Sequence, residues 1–280
     1  MADKSKYILC CRTIVTLATA IASSAWAQNP DPEYCALPDY TTGLFTCNGV
    51  DCPPEGVGPR PILNRLKNRD VLPSELKPMP FLAKDMVDWH RSEVPPYVWE
   101  HRSELIEPDR AAWPADALNE VMDWECQPVV VEGYLTQRNI EGRESCNCET
   151  STEPCVDLHV FIAPPEYRVD AFGGDDPNCT SSFCRGHRLV VEVTPRMEAQ
   201  HPEWNSTVIQ RVAAAKAHVQ ITGWRMWDPE HPDQVDLSRG TLWEIHPVHR
   251  IEVDQDGTWV DLCADWPACF PSAEKVLLNW

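Results

Sequence analysis

The stretch TLWEIHPVHRIEV, residues 241–253, has the clearest strand pattern in the chain. Glu244 and His246 alternate with Trp243 and Ile245, and β-branched residues dominate the end of the stretch. Because successive side chains of a strand point to opposite faces, Glu244 and His246 lie on the same side. The stretch therefore predicts a strand that presents a carboxylate and an imidazole together.

Four other stretches predict strands, and two of them, residues 156–162 and 188–194, show the same period of two. They cover residues 128–137, 156–162, 188–194 and 218–227. A helix is predicted between the third and fourth of them, over residues 202–217, with Pro202 in its first turn and an apolar face behind it. The order of elements is therefore β-β-β-α-β-β.

This order is that of a five-stranded OB-fold-like barrel, in which a helix connects strands three and four. Gly133 and Gly223 occur at the same point of the first and fourth strands. A glycine inside a strand marks a bend or a bulge, which small closed barrels need. We therefore predict a mainly β fold, with the barrel over residues 126–253.

The barrel is preceded by a predicted N-terminal arm, residues 28–125. Frequent prolines up to Pro80 forbid long elements there, and short helices are predicted at residues 64–69, 81–90 and 115–124. The aromatic residues between Phe81 and Trp124 either pack the arm onto the barrel or form a ligand platform, such as a sugar-binding face. Residues 254–280 are predicted to form a short tail stapled by a disulfide.

The first 27 residues have the pattern of a secretory signal peptide. Lys4, Lys6 and Arg12 form a positive region, an apolar run covers residues 13–25, and Ala27 ends a small-x-small cleavage pattern. The alternative is a transmembrane anchor, for which the apolar run is too short. We expect cleavage near Ala27 and a secreted or periplasmic protein without a membrane span.

The charge balance disfavours two classes of partner. The chain has 24 basic and 43 acidic residues, which gives a net charge of −19. Such a surface repels phosphate backbones and anionic lipids, and nucleic-acid binding needs a basic footprint. Nucleic acid is therefore not the expected partner.

The cysteines predict disulfides, because the chain is expected to be exported. Of 13 cysteines, two lie in the predicted signal peptide, so that an odd number follows and one thiol is left unpaired. The pairs Cys179–Cys184 and Cys263–Cys269 close short loops and are predicted from their spacing. The pairing of the other cysteines stays open.

Three of these cysteines could bind zinc instead of forming disulfides. Cys146, Cys148 and Cys155 are close enough in sequence to share an ion. Their spacing lacks a second Cys-x-x-Cys or a histidine pair, which structural zinc sites have. We therefore favour disulfides.

Several phrases of the chain resemble a family of exported bacterial proteins of uncharacterised role. The resemblance covers about residues 60–253, and it implies an OB-like domain and an exported location, with no activity and no catalytic residues. The phrases are LNRLKNR (63–69), VEGYL (131–135), ESCNC (144–148), DLH (157–159), VEVTPR (191–196), ITGW (221–224) and RGTLWEIHP (239–247).

Polar residues of three strands are expected to share one face of the barrel. In an OB fold the second, third and fifth strands are neighbours, and alternation sets Asp157 and His159 against the apolar side of the second strand. If the registers agree, they meet Glu192 of the third strand and Glu244 and His246 of the fifth. These five residues are the candidates for any chemistry.

This face has three interpretations. The first is the ordinary polar face of a half-exposed sheet, with cross-strand ion pairs. The second is a structural buried polar network. The third is a catalytic or divalent-metal site, with His159, Glu192 and His246 as metal ligands and the carboxylates as acid-base groups. Arg196 and Arg239 at nearby strand ends and Trp243 are predicted ligand-binding residues.

Three hypotheses about function follow. The first, which we favour, is a disulfide-rich OB-like module with a binding or structural role and no catalysis. Its ligand would be a protein, a glycan or a small molecule. The second is a metal-dependent hydrolase, for example of phosphoesters, that uses the polar face. The third is oligonucleotide binding, which rests on the fold alone and which the acidic balance opposes.

Overall fold

A computed structural model of the protein describes residues 41–74, 76–92, 96–169 and 171–263. The predicted signal peptide and Cys269 lie outside the described residues. Within them, the strands are β1 (Phe45–Cys47), β2 (Val50–Cys52), β3 (Met79–Leu82), β4 (Pro128–Ile140), β5 (Leu158–Ala163), β6 (Leu189–Val193), β7 (His218–Trp227), β8 (Trp243–Gln255) and β9 (Thr258–Asp261).

The α-helices of the described residues are short. They are α1 (Pro61–Lys67), α2 (Ala83–Ser92), α3 (Pro96–Glu100), α4 (Ala115–Glu125), α5 (Ser182–Arg185), α6 (Pro195–Gln200) and α7 (Ser206–Ala214). None of the helices in this part of the chain is long and apolar enough to span a bilayer.

Five of the strands close into a barrel. The order is β4-β5-β6-β8-β7, and β7 pairs back with β4. The β6–β8 contact is parallel and the other four are antiparallel. A meander of three strands, a helical crossover and two final strands in this arrangement confirm the predicted five-stranded OB-fold-like barrel.

The barrel interior is apolar and follows from strand alternation. Leu158, Val160 and Ile162 of β5 and Val191 of β6 point inward and are at most 1% exposed. Ile245 of β8 joins the same core and is fully buried. The residues between these positions therefore point to the outside of the barrel, where the predicted polar face lies.

The crossover between β6 and β7 differs from the single helix predicted over residues 202–217. It contains a 3-10 turn, Pro202–Trp204, followed by α7 from Ser206 to Ala214. The reason is Asn205, which has an extended backbone and whose side-chain oxygen accepts a hydrogen bond from the Val208 N–H at 3.1 Å. Asn205 thus caps a new helix instead of continuing one.

The sheet extends beyond the predicted barrel boundaries on both sides. β3, within the predicted arm, pairs in parallel with β4. β8 continues to Gln255 and turns into β9, within the predicted tail, which pairs with β8. Neither edge strand was predicted from the sequence, because four residues are too few to show a period of two. Phe81 and Leu82 of β3 were assigned to the helix predicted over residues 81–90, which begins at Ala83 instead.

Disulfides fasten the arm to the long β4–β5 connection. Cys47 is bonded to Cys155 and Cys52 to Cys148, so that both strands of the β1–β2 hairpin are tied to the same insertion. These bonds overturn the zinc alternative, because two of its three cysteines are oxidised. Among the described residues, the buried Cys146 is the free cysteine.

The remaining described cysteines are also oxidised. The structure contains the predicted Cys179–Cys184 disulfide. Cys126 and Cys263 are disulfide-bonded as well. The predicted partner of Cys263, Cys269, lies outside the described residues.

Gly223 shows why the barrel needs a glycine at this point. The β7–β8 register shifts on both sides of Gly223. A Cβ atom added there would lie 2.4 Å from the backbone oxygen of Pro247, far inside contact distance. At Gly133 the added atom would lie 2.4 Å from Ile162 Cγ2, and the register shift falls two residues later, between Leu135 and Gln137.

We expect Gly223→Ala to lower the free energy of unfolding by about 1–3 kcal/mol, the usual range for overpacking a barrel of this kind. Backbone atoms of β8 would have to move. Gly142→Ala is the matched control, because nothing lies within 4 Å of its added Cβ. Urea unfolding of both variants measures the difference, and equal stability would show that the strands approach less closely than described.

Candidate functional site

Strand pairing brings the predicted site residues together on the outside of the barrel. His159 of β5 lies opposite Glu192 of β6 in the antiparallel register. In the parallel register of β6 and β8, Val190 lies opposite Glu244, which sets His246 beside Glu192. The face that alternation predicted is therefore formed.

Glu192 lies between the two histidines. Its Oε1 is 2.5 Å from Nε2 of His159, and its Oε2 is 2.9 Å from Nδ1 of His246. Nδ1 of His246 is also 3.2 Å from Oε1 of Glu244, and its Nε2 is 3.7 Å from Oδ2 of Asp157. All five candidate residues thus belong to one connected cluster.

The cluster is buried, so the interpretation as a solvated polar face is wrong. Asp157 and His246 are fully inaccessible, Glu244 is 1% exposed and Glu192 is 2% exposed. Only the side chain of His159 retains partial access, at 12%. The alternation of the strands was correct, but a sheet face is solvated only if nothing covers it.

The cover consists of the arm and the β4–β5 connection. Asn68, just after α1, donates hydrogen bonds from Nδ2 to the carbonyls of Pro54 (3.0 Å) and Cys146 (2.8 Å). Asn64 of α1 accepts one from the Ser145 hydroxyl at 2.9 Å. Buried amides thus fasten the two covering segments to each other over the barrel face.

The cover also brings charged residues that the sequence analysis missed. Lys67 of α1 places its Nζ 3.2 Å from Glu144 and 3.1 Å from Glu230. Glu144 in turn interacts with Asp157 of the cluster. Glu144 stands in the phrase ESCNC and Lys67 in LNRLKNR, both of which were noticed only as parts of a resemblance.

The three predicted binding residues have structural contacts. Arg196 donates hydrogen bonds to the carbonyls of Gly43 (2.7 Å) and Cys52 (2.9 Å), and it is 2% exposed. Arg239 pairs with Asp228 and Glu244. Trp243 is fully buried in the core. In this arrangement all three contact the protein itself.

The cluster is the centre of a larger charge network with an excess of negative charge. Ion pairs and the Glu144–Asp157 contact connect seven carboxylates, three permanent cations and three histidines. With neutral histidines the carboxylates exceed the cations by four. The carboxylates are Glu141, Glu144, Asp157, Glu192, Asp228, Glu230 and Glu244; the cations are Arg60, Lys67 and Arg239; the histidines are His159, His231 and His246.

The excess of carboxylates raises the pKa values of the histidines in the cluster. Burial alone would lower the pKa of His246, but Glu192 and Glu244 raise it to about 10. Burial likewise opposes protonation of His159, whose pKa is raised by Glu192 and Glu141. Burial and Glu144 raise the pKa of Asp157. The network therefore attracts positive charge, as protons or as a cation.

Four buried polar atoms in this cluster form no hydrogen bond with the described residues. They are Nε2 of His159, Nε2 of His246, Oε2 of Glu192 and Oδ1 of Asp157. The short distance between His159 Nε2 and Glu192 Oε1 lacks the alignment that a hydrogen bond requires. Because buried polar atoms nearly always have partners, four in one cluster indicate a binding site.

The opposite nitrogen of each ring is held by a carboxylate. Nδ1 of His159 is 2.9 Å from Oε1 of Glu141, and Nδ1 of His246 is 3.2 Å from Oε1 of Glu244. Arg239 fixes Glu244 through a hydrogen bond of 2.8 Å. A carboxylate behind an imidazole is typical of metal-binding histidines, since it orients the ring and leaves Nε2 as the donor.

Ligand atoms suited to a metal ion fall into three overlapping sets, within which they lie no more than 4.8 Å apart. The sets are Glu144–His159–Glu192, Asp157–Glu192–His246 and Glu144–Cys146–Asp157. Burial and the neighbouring carboxylates raise the pKa of the Cys146 thiol. The two sets that contain a histidine share Glu192 and are the better candidates, because imidazole nitrogens and carboxylate oxygens are common ligands of divalent metals.

Comparison of the chain with family models, with curated proteins and with solved structures gives no match. Its fold and this cluster define the class of the protein, which is an OB-like, disulfide-bonded β-barrel whose outer face holds a buried group of metal-type ligands.

Arg239→Met tests how strongly the network depends on its cations. Asp228 and Glu244 would be left buried without their partner, so we expect a loss of about 3–5 kcal/mol in the free energy of unfolding. Arg250→Met is the control. Arg250 is 53% exposed and pairs with Asp261, which is 66% exposed, and such surface pairs contribute about 0–1 kcal/mol. Chemical unfolding of both variants compares them, and similar losses would contradict a special role for the buried network.

Proposed function

We propose that the protein is an exported, disulfide-bonded OB-like module that binds a divalent metal ion between its barrel and its N-terminal arm. The observation that carries this proposal is the orientation of the two histidines. Each is held by a carboxylate at Nδ1 and has a buried Nε2 with no hydrogen-bond partner among the described residues. Glu192, beside Nε2 of His159, and Asp157, beside Nε2 of His246, supply further ligand atoms.

The ligand chemistry supports a divalent transition metal. Imidazole nitrogens suit zinc, and carboxylate oxygens suit zinc as well as manganese. Two atoms bound tetrahedrally at about 2.1 Å from one ion are about 3.4 Å apart. His246 Nε2 and Asp157 Oδ2 are 3.7 Å apart, a similar separation. A cation also offsets the excess negative charge of the network.

Export is supported by the cysteines. Disulfides such as Cys47–Cys155 and Cys52–Cys148 form in oxidising compartments. The signal-peptide pattern of residues 1–27 and the resemblance to exported bacterial proteins point the same way. We therefore place the metal-binding module outside the cytoplasm, in the periplasm or beyond the cell.

The burial of the cluster favours a structural role for the metal over hydrolysis. Structural metal sites are closed by protein ligands, whereas catalytic sites keep a position for water and substrate. The Asp157–Glu192–His246 set is almost wholly inaccessible. The arm and the β4–β5 connection cover these ligands, and Glu144 of the connection belongs to the neighbouring ligand set. A metal ion there would tie the connection to the barrel, and the cover makes the face unsuitable for nucleic acid or a glycan.

Zinc should bind the full-length chain and stabilise it. At free zinc about 100 times the Kd, one bound ion adds about 2.7 kcal/mol to the free energy of unfolding. Protein purified without chelator should contain metal, and EDTA should lower its melting temperature. Elemental analysis and thermal unfolding with and without EDTA measure both effects.

His246→Gln and His218→Gln form a matched pair for this experiment. His218 also lies between two carboxylates, Glu132 at 3.0 Å and Asp254 at 3.2 Å, but it is outside the cluster. Zinc binding and the response to EDTA should weaken only in His246→Gln. A wild-type chain without metal, without zinc affinity and with an EDTA-insensitive melting temperature would refute the proposal.

A further inference from the structure

We infer that the cluster binds two metal ions rather than one, with the carboxylate of Glu192 bridging them. This inference rests on the proposed metal-binding function and specifies its site. One ion would lie among Glu144, His159 and Glu192, and the other among Asp157, Glu192 and His246. Both sets are assembled from different strands and connections of the same barrel face.

The first support is the position of the two oxygens of Glu192. Oε1 lies 2.5 Å from Nε2 of His159, and Oε2 lies 2.9 Å from Nδ1 of His246, the nitrogen that Glu244 also approaches. The two histidines approach from opposite ends of the carboxylate, since β5 and β8 flank β6 on its two sides. A carboxylate that offers one oxygen to each of two ligand sets has the arrangement of a bridge between two ions.

The second support is that each set has its own histidine and its own further carboxylate. His159 and His246 never occur in the same set of mutually close ligand atoms, whereas Glu192 occurs in both. Each imidazole also has its own supporting carboxylate, Glu141 or Glu244. A single shared ion would need only one such half-site.

The third support is the charge of the network. Seven carboxylates face three permanent cations, an excess of four negative charges with neutral histidines. Histidines bind metal ions in the neutral form. In that form of the network, two divalent cations offset the excess and one offsets half of it.

The two positions differ in access. The set that contains His246 is buried throughout, whereas His159 and Glu144 retain side-chain exposures of 12% and 18%. The ion beside His159 is therefore the one that exchanges with solvent and accepts an additional oxygen ligand. EDTA should remove metal in two phases, with the ion at His159 leaving first.

Titration of the full-length protein with zinc, followed by elemental analysis after desalting, tests the stoichiometry. We expect two ions per wild-type chain, one in His159→Gln and one in His246→Gln. Glu192→Gln should lose affinity for both ions, and the control His218→Gln should keep both. In EDTA release, His159→Gln should lack the fast phase.

A spectroscopic measurement on the wild type keeps the test independent of whether the variants fold. Loaded with manganese, the chain should give the electron paramagnetic resonance signal of two exchange-coupled ions. A signal of isolated ions only would overturn the bridge, as would loss of a single ion in Glu192→Gln. One zinc ion per chain, abolished by either histidine substitution, would overturn the two-ion site and leave the metal-binding function standing. Absence of zinc binding would overturn both.

Discussion

The buried carboxylate of Glu192, held between two imidazoles, is the constraint on which this structure depends. Moving a charge out of water has a large desolvation cost, and one ion pair does not offset it. A buried carboxylate therefore needs several charged or hydrogen-bonding partners. The compensation extends outward in two directions, through His159 to Glu141 and through His246 to Glu244 and Arg239. The proposed metal centre would complete this arrangement without requiring that every imidazole be protonated.

The N-terminal arm creates the environment that gives the cluster its properties. Without the arm, the outer face of β5, β6 and β8 would be an ordinary solvated sheet surface, where ion pairs contribute little. Two disulfides and the amides of Asn64 and Asn68 hold the arm and the β4–β5 connection over that face. The disulfides and the cluster are thus linked, since oxidation of the cysteines secures the cover under which the polar side chains are desolvated.

The sequence predicted the barrel and the convergence of Asp157, His159, Glu192, Glu244 and His246, because both depend on the local period of two and on one known strand order. It left a buried polar network as one of three interpretations, since Lys67 and Glu144 reach the cluster from segments without regular periodicity. The helix predicted over residues 202–217 is longer than the observed one, Ser206–Ala214. The apolar periodicity of these residues does not reveal that Asn205 caps a new helix. Local patterns define elements, and the long-range covering of one element by another decides the chemistry.

Anomalous X-ray diffraction from crystals grown with zinc tests the central claim most directly. The account predicts anomalous density at a bonding distance of about 2.0–2.2 Å from Nε2 of His246, on the side of the Asp157 carboxylate, with Nδ1 still bonded to Glu244. Further density beside Nε2 of His159 would mark the second position. A map without anomalous density at the cluster, in which both Nε2 atoms donate hydrogen bonds to carboxylate oxygens, would show a purely protonic network and contradict the metal centre.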